Sequence, residues 1–195
     1  MAEDAPAFRA AATRSLTQLG LAGDWVDVSL DASVLTLADS AGRRVDIPLD
    51  AFDRARFGYD TSRLGDRTYA MRLWTDRARR PLLLRHNGGY SRPGYAGVAR
   101  GIAAAVAARR GIGAVEGGLS WAFALIYVAV VAGILGYSGW ATIQSVREGE
   151  PLWVVLALPL IVLTGAGAVG YGFVSLYCPR RLSRLDQLET FVGTR

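Results

Sequence analysis

Two uncharged stretches constrain this chain more than any other feature in it. No residue between Glu116 and Arg147 carries a charge, and none does between Glu150 and Arg180; only Arg147-Glu148-Gly149-Glu150 separates them. A hydrocarbon core about 30 Å thick is crossed by about 20 apolar helical residues. Both stretches exceed that length, and in lipid an isolated segment must satisfy its own backbone hydrogen bonds, which leaves helix. The expectation is a transmembrane hairpin with helices over 117–146 and 151–179. Trp121 and Tyr177 would mark one headgroup level and Tyr137, Trp140 and Trp153 the other, as in an aromatic belt. Arg109 and Arg110 precede the first helix, and Arg180, Arg181 and Arg184 follow the second, whereas the turn holds one arginine against two glutamates. The positive-inside rule then predicts both termini in the cytoplasm, at the inner membrane of a bacterium.

Inside those stretches the polar content is small. They hold no Asp, Glu, Lys, Arg or His, which argues against an ion or proton path through this chain alone. Gly165-Ala166-Gly167-Ala168-Val169-Gly170 matches a dinucleotide-binding fingerprint in letters, but that motif needs a strand-to-helix turn and here sits mid-membrane. Helix packing is the better explanation. Ala129/Gly133, Ala166/Gly170 and Ala168/Gly172 each lie four apart, where small residues let backbones approach. That face serves either the partner helix of the hairpin or another subunit. Pro159 is expected to kink the second helix.

The region before the membrane has a different rhythm. Phe8, Ala11, Ala12, Ser15, Leu16 and Leu19 follow helical spacing, so residues 1–20 are expected to form an amphipathic helix or tail. From Val26 onward apolar and polar residues alternate: Val26, Val28, Leu30; then Val34 to Ala38; Val45, Ile47, Leu49; Ala51 to Tyr59, with Arg54 and Arg56 on one face; Tyr69, Met71, Leu73; and Leu82 to Leu84. Pro48 marks an edge or a strand end. Strands at this spacing suggest a small antiparallel β-barrel or sandwich. Tyr95, Val98, Ala99, Ile102 and Val106 then recur at helical spacing, and Gly111-Ile112-Gly113 ends that helix as a linker to the membrane. The fold class is α+β, with a β-domain over 21–111. Leu182, Leu185, Leu188, Phe191 and Val192 make 180–195 an amphipathic cytoplasmic tail, placed either on the membrane or on the domain.

Strands followed by one closing helix, the segment Val45-Asp46-Ile47-Pro48-Leu49-Asp50-Ala51-Phe52, and the helix start Tyr95-Ala96-Gly97-Val98-Ala99-Arg100-Gly101-Ile102 together resemble bacterial pleckstrin-homology-like domains. The resemblance covers residues 22–110. It implies a barrel closed by a C-terminal helix, tethered to transmembrane helices, that binds peptides, lipids or other proteins and catalyses nothing. Phosphoinositide binding does not carry over, because the first inter-strand loop, Asp31-Ala32-Ser33, has no basic residue.

Functional groups are few. All 22 basic residues are arginine and the net charge is +5. Arg43 and Arg44 in one hairpin, and Arg77, Arg79 and Arg80 in another, are the candidates for gripping anionic lipid or an acidic partner. No aromatic interleaving supports nucleic-acid binding. His86 is expected at the surface or a strand end, and Cys178 as a buried or interfacial thiol whose solitude excludes an intrachain disulfide. The first 20 residues contain no apolar run, so no secretory signal is expected. We therefore expect no catalytic group, metal or cofactor. The expected function is a membrane-anchored adaptor that binds a protein partner or an anionic lipid surface. The alternatives are an accessory subunit of a larger inner-membrane complex, held through the glycine-rich helix face, and a homo-oligomer.

Overall fold

The computed structural model describes residues 5–61, 67–76, 80–86, 92–118, 121–151 and 178–192, and within 152–177 residues 153, 157, 159–165, 167 and 170. The chain forms two compact units. One comprises Met1–Leu119 together with Pro179–Arg195, and the other Ser120–Cys178. The first is α+β.

Strands β1 (Ala7–Ala11), β2 (Trp25–Leu30), β3 (Val34–Asp39) and β4 (Arg44–Pro48) form an antiparallel meander. A second meander holds β5 (Phe52–Thr61), β6 (Arg67–Thr75) and β7 (Leu82–His86). The alternation anticipated in the sequence is what builds them: Val26, Val28 and Leu30 face inward on β2, as do Ala55, Phe57 and Tyr59 on β5. The two meanders meet along a seam of only two residue pairs, Ala10 with His86 and Ala11 with Arg85. Beyond that seam β7 would show bare backbone. The short helix α1 (Arg14–Gln18) covers it, with the Thr13 hydroxyl donating to the Leu83 carbonyl at 2.9 Å and the Leu83 N–H donating to Ser15 Oγ at 2.9 Å.

The expected N-terminal helix is therefore corrected to a strand followed by one turn of helix. Helical spacing across Phe8 to Leu19 was real, but Phe8 and Ala10 pair inward with the sheet, and tertiary pairing overrides a weak local pattern. Of the expected barrel or sandwich, the barrel is corrected as well. The sheet is open, with nine strands in the order β4-β3-β2-β1-β7-β6-β5-β8-β9. It is also mixed, because β8 (Val115–Gly117) runs parallel to β5, with β9 (Arg180–Arg181) antiparallel beyond it.

Helix α2 (Arg92–Arg110) covers the inner face of the sheet, burying Tyr95, Val98, Ala99, Ile102 and Val106. The Tyr95 ring meets Phe8 edge-on at 5.2 Å and His86 at 5.7 Å. Gly101 of α2 lies against the Leu30 side chain with no room for a Cβ, so the helix settles directly on the sheet. The chain then leaves the helix through Gly111, at φ +83°. It does not pass straight to the apolar region as a linker; it returns to the sheet as β8.

The C-terminal tail belongs to this same unit. After β9, Leu182 and Leu188 are buried, and α4 (Glu189–Val192) buries Phe191 and Val192. Phe191 fills the space left by the missing side chain of Gly117, and Glu189 pairs with Arg100 of α2 at 2.7 and 3.0 Å. The open choice for residues 180–195 thus resolves onto the domain.

In the second unit α3 runs Trp121–Arg147, starting later than the expected 117 because Gly117 is in the sheet. It is long and apolar enough to cross a membrane over Leu125–Arg147, with 6% of that window buried inside the molecule. Residues 159–165 are also helical. The expected second span, 151–179, lies in large part outside the described residues, as do Tyr177, Ala166, Ala168 and Gly172.

Phe191→Ala is expected to lower the stability of the first unit by about 3 kcal/mol, the usual cost of emptying a core aromatic site. Leu185→Ala, at a half-exposed position, should cost under about 1 kcal/mol. Denaturant unfolding of the two variants in detergent checks this; equal losses would mean that the tail does not seal the core.

Candidate functional site

The outer face of the second meander carries arginines from all three of its strands. Strand alternation places Arg54 and Arg56 of β5 opposite the buried Ala55, and likewise Arg72 of β6 and Arg85 of β7. Register aligns them. Leu83, Arg72, Arg56, Glu116 and Arg181 form one row across β7, β6, β5, β8 and β9. At about 4.8 Å between strands, Arg72 to Arg181 spans about 14 Å.

Glu116 organises that row. Its carboxylate accepts from Arg56 at 2.6 and 2.7 Å and lies 3.8 Å from Arg54. Arg56 and Glu116 are both nearly buried, at 13% and 11% side-chain exposure, so neither charge is left in low dielectric without its counter-ion. The Trp74 ring lies under Arg54 at 4.2 Å and Arg56 at 5.3 Å, which fixes both guanidinium planes. Arg85 and Arg181 are exposed. Arg54, Arg56, Arg72, Arg85 and Arg181 thus share this face with Glu116.

The arginines singled out from sequence are placed differently. Arg44 is neutralised by Asp46 at 2.8 Å, with Thr36 accepting at 3.2 Å. Arg43 lies against Gly20 in the β3–β4 turn. That turn is clamped by Asp39, whose carboxylate accepts from the N–H groups of Ala22, Ala41 and Arg43, each at 2.9 Å. The Ala22 N–H, opposed by burial and aided by the other two, holds the Asp39 carboxyl below the ordinary 3.8. Arg80 lines an apolar cleft of about 160 Å³ with Leu19, Ile47, Phe52, Leu73 and Leu82, at the place where β4 fails to close onto the second meander. Arg77 and Arg79 lie outside the described residues.

Comparison of the chain with protein-family models, curated proteins and solved structures finds no match.

His86 does end a strand, as one of the two expectations had it, but it is buried against Phe8 and Tyr95 rather than at the surface. The Tyr95 hydroxyl is buried without a hydrogen bond, and burial pushes its pKa up. Cys178 is half-buried. Among the described residues no group of three His, Cys, Asp or Glu could hold a metal. In the second unit a Cβ on Gly170 would meet the Tyr127 hydroxyl at 2.9 Å, whereas Gly133 faces open space. Arg54, Arg56 and Arg72 were visible in the sequence as strand exteriors. Glu116 and Arg181 were missed because β8 and β9 are too short to show any period, and Arg85 because it lies just beyond the apolar run Leu82 to Leu84.

Glu116→Ala should destabilise the first unit by about 3 kcal/mol, because it strands the nearly buried Arg56 charge. Thermal melts of Glu116→Ala against Arg56→Ala with Glu116→Ala together check it; a double variant no more stable than the single would refute the pairing. The depressed Asp39 carboxyl contributes stability that is present above 3.8 and lost as pH falls through the lower folded value. Asp39→Asn should therefore flatten the acid limb of the stability curve below about pH 4.

Proposed function

We propose that the chain is a membrane-anchored, non-catalytic interaction module. Its second unit is a transmembrane hairpin, and its first is a pleckstrin-homology-like domain held at the cytoplasmic face of a bacterial inner membrane. One observation carries the anchoring most strongly. The residues where the chain leaves and re-enters the sheet, Gly117 and Arg180, are ladder partners. Any crossing made by the segment between them must be matched by a return, so the crossings are even in number. With Leu125–Arg147 as one span, the chain between Glu150 and Arg180 supplies the other, and it carries no charge. Leu125, Ile126, Val128, Ile134, Ile143 and Val146 are exposed on α3, an apolar surface that suits lipid and not water. The arginines flanking the segment favour the cytoplasmic side for the domain.

A binding role accounts for how the domain uses its charges. Glu116, Asp39 and Asp53 are committed to Arg56, to a turn and to Arg110, respectively. The edge of β5, a natural place for a partner strand, is occupied by the chain's own β8 and β9, so a protein partner has β4 as the longer free edge. A second reading, an accessory subunit of a membrane complex or a homo-oligomer, draws support from Gly133, Gly136 and Gly139, each with nothing within 4 Å of an added Cβ.

Two measurements test the anchoring. The protein should stay with membranes through alkaline carbonate and leave only with detergent. Reporter fusions at Gly149 should read periplasmic while fusions at Arg195 read cytoplasmic; the same side for both would refute a spanning hairpin.

A further inference from the structure

We propose that the apolar cleft between β4 and the second meander binds a small aromatic or branched aliphatic monocarboxylate, its apolar body in the cleft and its carboxylate on Arg80. The cleft holds about 160 Å³. A cavity of about 150 Å³ lined by Leu, Ile and Phe takes up benzene, so the space matches one ring or one branched chain. Its origin lies in the topology. Ile47 stays on β4, opposite Leu35, whereas Phe52 opposite Thr75 and Leu73 opposite Leu82 belong to the second meander. A single 3-10 turn, Leu49–Ala51, carries the chain across, and β4 remains an end of the sheet. Phe52 and Leu73 back the cleft and are fully buried, whereas Leu19 is 37% exposed. Among the described residues of the first unit, Leu19 and Leu185 are the only large apolar side chains left so open to water. An apolar ligand that covers Leu19 and fills the cleft removes that surface from solvent, which is favourable.

Charge complementarity selects the head group. Arg80 is the only charged residue lining the cleft; it is exposed and forms no ion pair with a described residue. Asp76, the acid nearest to it in sequence, is paired with Arg110 at 3.2 Å. A guanidinium donates two parallel N–H bonds to one carboxylate, so Arg80 suits that group in geometry as well as in sign. Gln18 and Thr75 add an amide and a hydroxyl to the lining, while the Ser15 hydroxyl is already committed to Leu83. No carboxylate lines the cleft. An ammonium group on the ligand would find no counter-ion there, so an amino acid is disfavoured against its deaminated analogue. Pro48 removes one N–H from β4 beside the cleft, so side chains rather than a backbone ladder recognise the ligand. All the lining residues belong to the first unit, which makes the site independent of how the chain is anchored.

The test uses the full chain in nanodiscs of zwitterionic phosphatidylcholine, with empty discs as the reference, and follows fluorophenylacetate by fluorine NMR. The probe should bind saturably with a Kd on the order of 0.1–1 mM, the range open to a ligand of this size. Arg80→Gln should weaken it about tenfold, because the charge-assisted pair is lost. Fluorophenylacetamide keeps the ring and lacks the charge; it should bind about tenfold more weakly than the acid and equally to the unaltered chain and to Arg80→Gln. Leu19→Glu should abolish binding of the acid by setting a carboxylate beside the ring. Both substitutions fall at exposed positions, so the melts should stay unchanged. Affinity unchanged in Arg80→Gln, or equal for acid and amide, overturns the carboxylate site. Absence of saturable binding overturns it as well, and so does capture of a peptide ending in phenylalanine where fluorophenylacetate shows none, which would assign the cleft to a protein. Each of these results leaves the membrane anchoring untouched, since carbonate extraction reads that separately.

Discussion

The ladder between β8 and β9 is the constraint on which the rest of the molecule depends. It is short, with Glu116 opposite Arg181 and Gly117 opposite Arg180. Yet it closes one folded unit around a long apolar insertion, so that the strands before and after the insertion are neighbours in a single sheet. Two backbone pairs would not hold such a closure by themselves. They are reinforced on one face by Phe191, packed into the gap above Gly117, and on the other by Glu116 and its arginines. Residue 117 must be glycine for the first contact and 116 acidic for the second, so three residues of β8 do the work of a much longer strand. The same arrangement covers β5, whose free edge would otherwise be an invitation to pair with another chain.

That closure also explains which parts of the fold were legible in the sequence. Alternation over five or more residues was readable for β2 to β6, and so was the 3.6-residue period of α2, because each of those elements buries one face against a large surface; β7 was read only as the apolar run Leu82 to Leu84. The N-terminal segment misled. Phe8-Arg9-Ala10-Ala11 alternates over too few residues to outweigh the helical spacing of Ala12 to Leu19, and its strand state comes from pairing with β2, far along the chain. Nothing local marks Val115-Glu116-Gly117 or Arg180-Arg181 as strands. They look like linkers because their structure is entirely imposed by β5 and by one another. A barrel or sandwich was expected from strand spacing and from the family resemblance; neither tells whether the sheet closes, and here β4 and β9 are left as its two ends.

The candidate site was half legible for the same reason. Arg54, Arg56 and Arg72 sit on long strands, and their shared outward direction could be read from spacing. Their centre could not, because Glu116 comes to Arg56 from 60 residues away. Sequence clustering pointed instead to Arg43-Arg44, adjacent in the chain but separately engaged: one lies against Gly20 and the other is paired with Asp46. Adjacent arginines on a turn are free to find local acids. Arginines at paired positions on neighbouring strands, such as Arg56 and Arg72, are kept on one face by the sheet itself.

A sheet that collects like charges must offset their repulsion, and the means used here bear on function. One nearly buried glutamate and one tryptophan hold Arg54 and Arg56 in place. A domain selected for stability alone would do as well with neutral residues at these positions, since a buried ion pair seldom outperforms apolar packing. What the pair provides is a fixed geometry at the centre of the face, with Arg72, Arg85 and Arg181 around it on β6, β7 and β9. The same three-residue strand that joins the sheet to the apolar insertion thus also places the carboxylate around which Arg54 and Arg56 are held, so the closure of the unit and the charge on its outer face are coupled through Glu116.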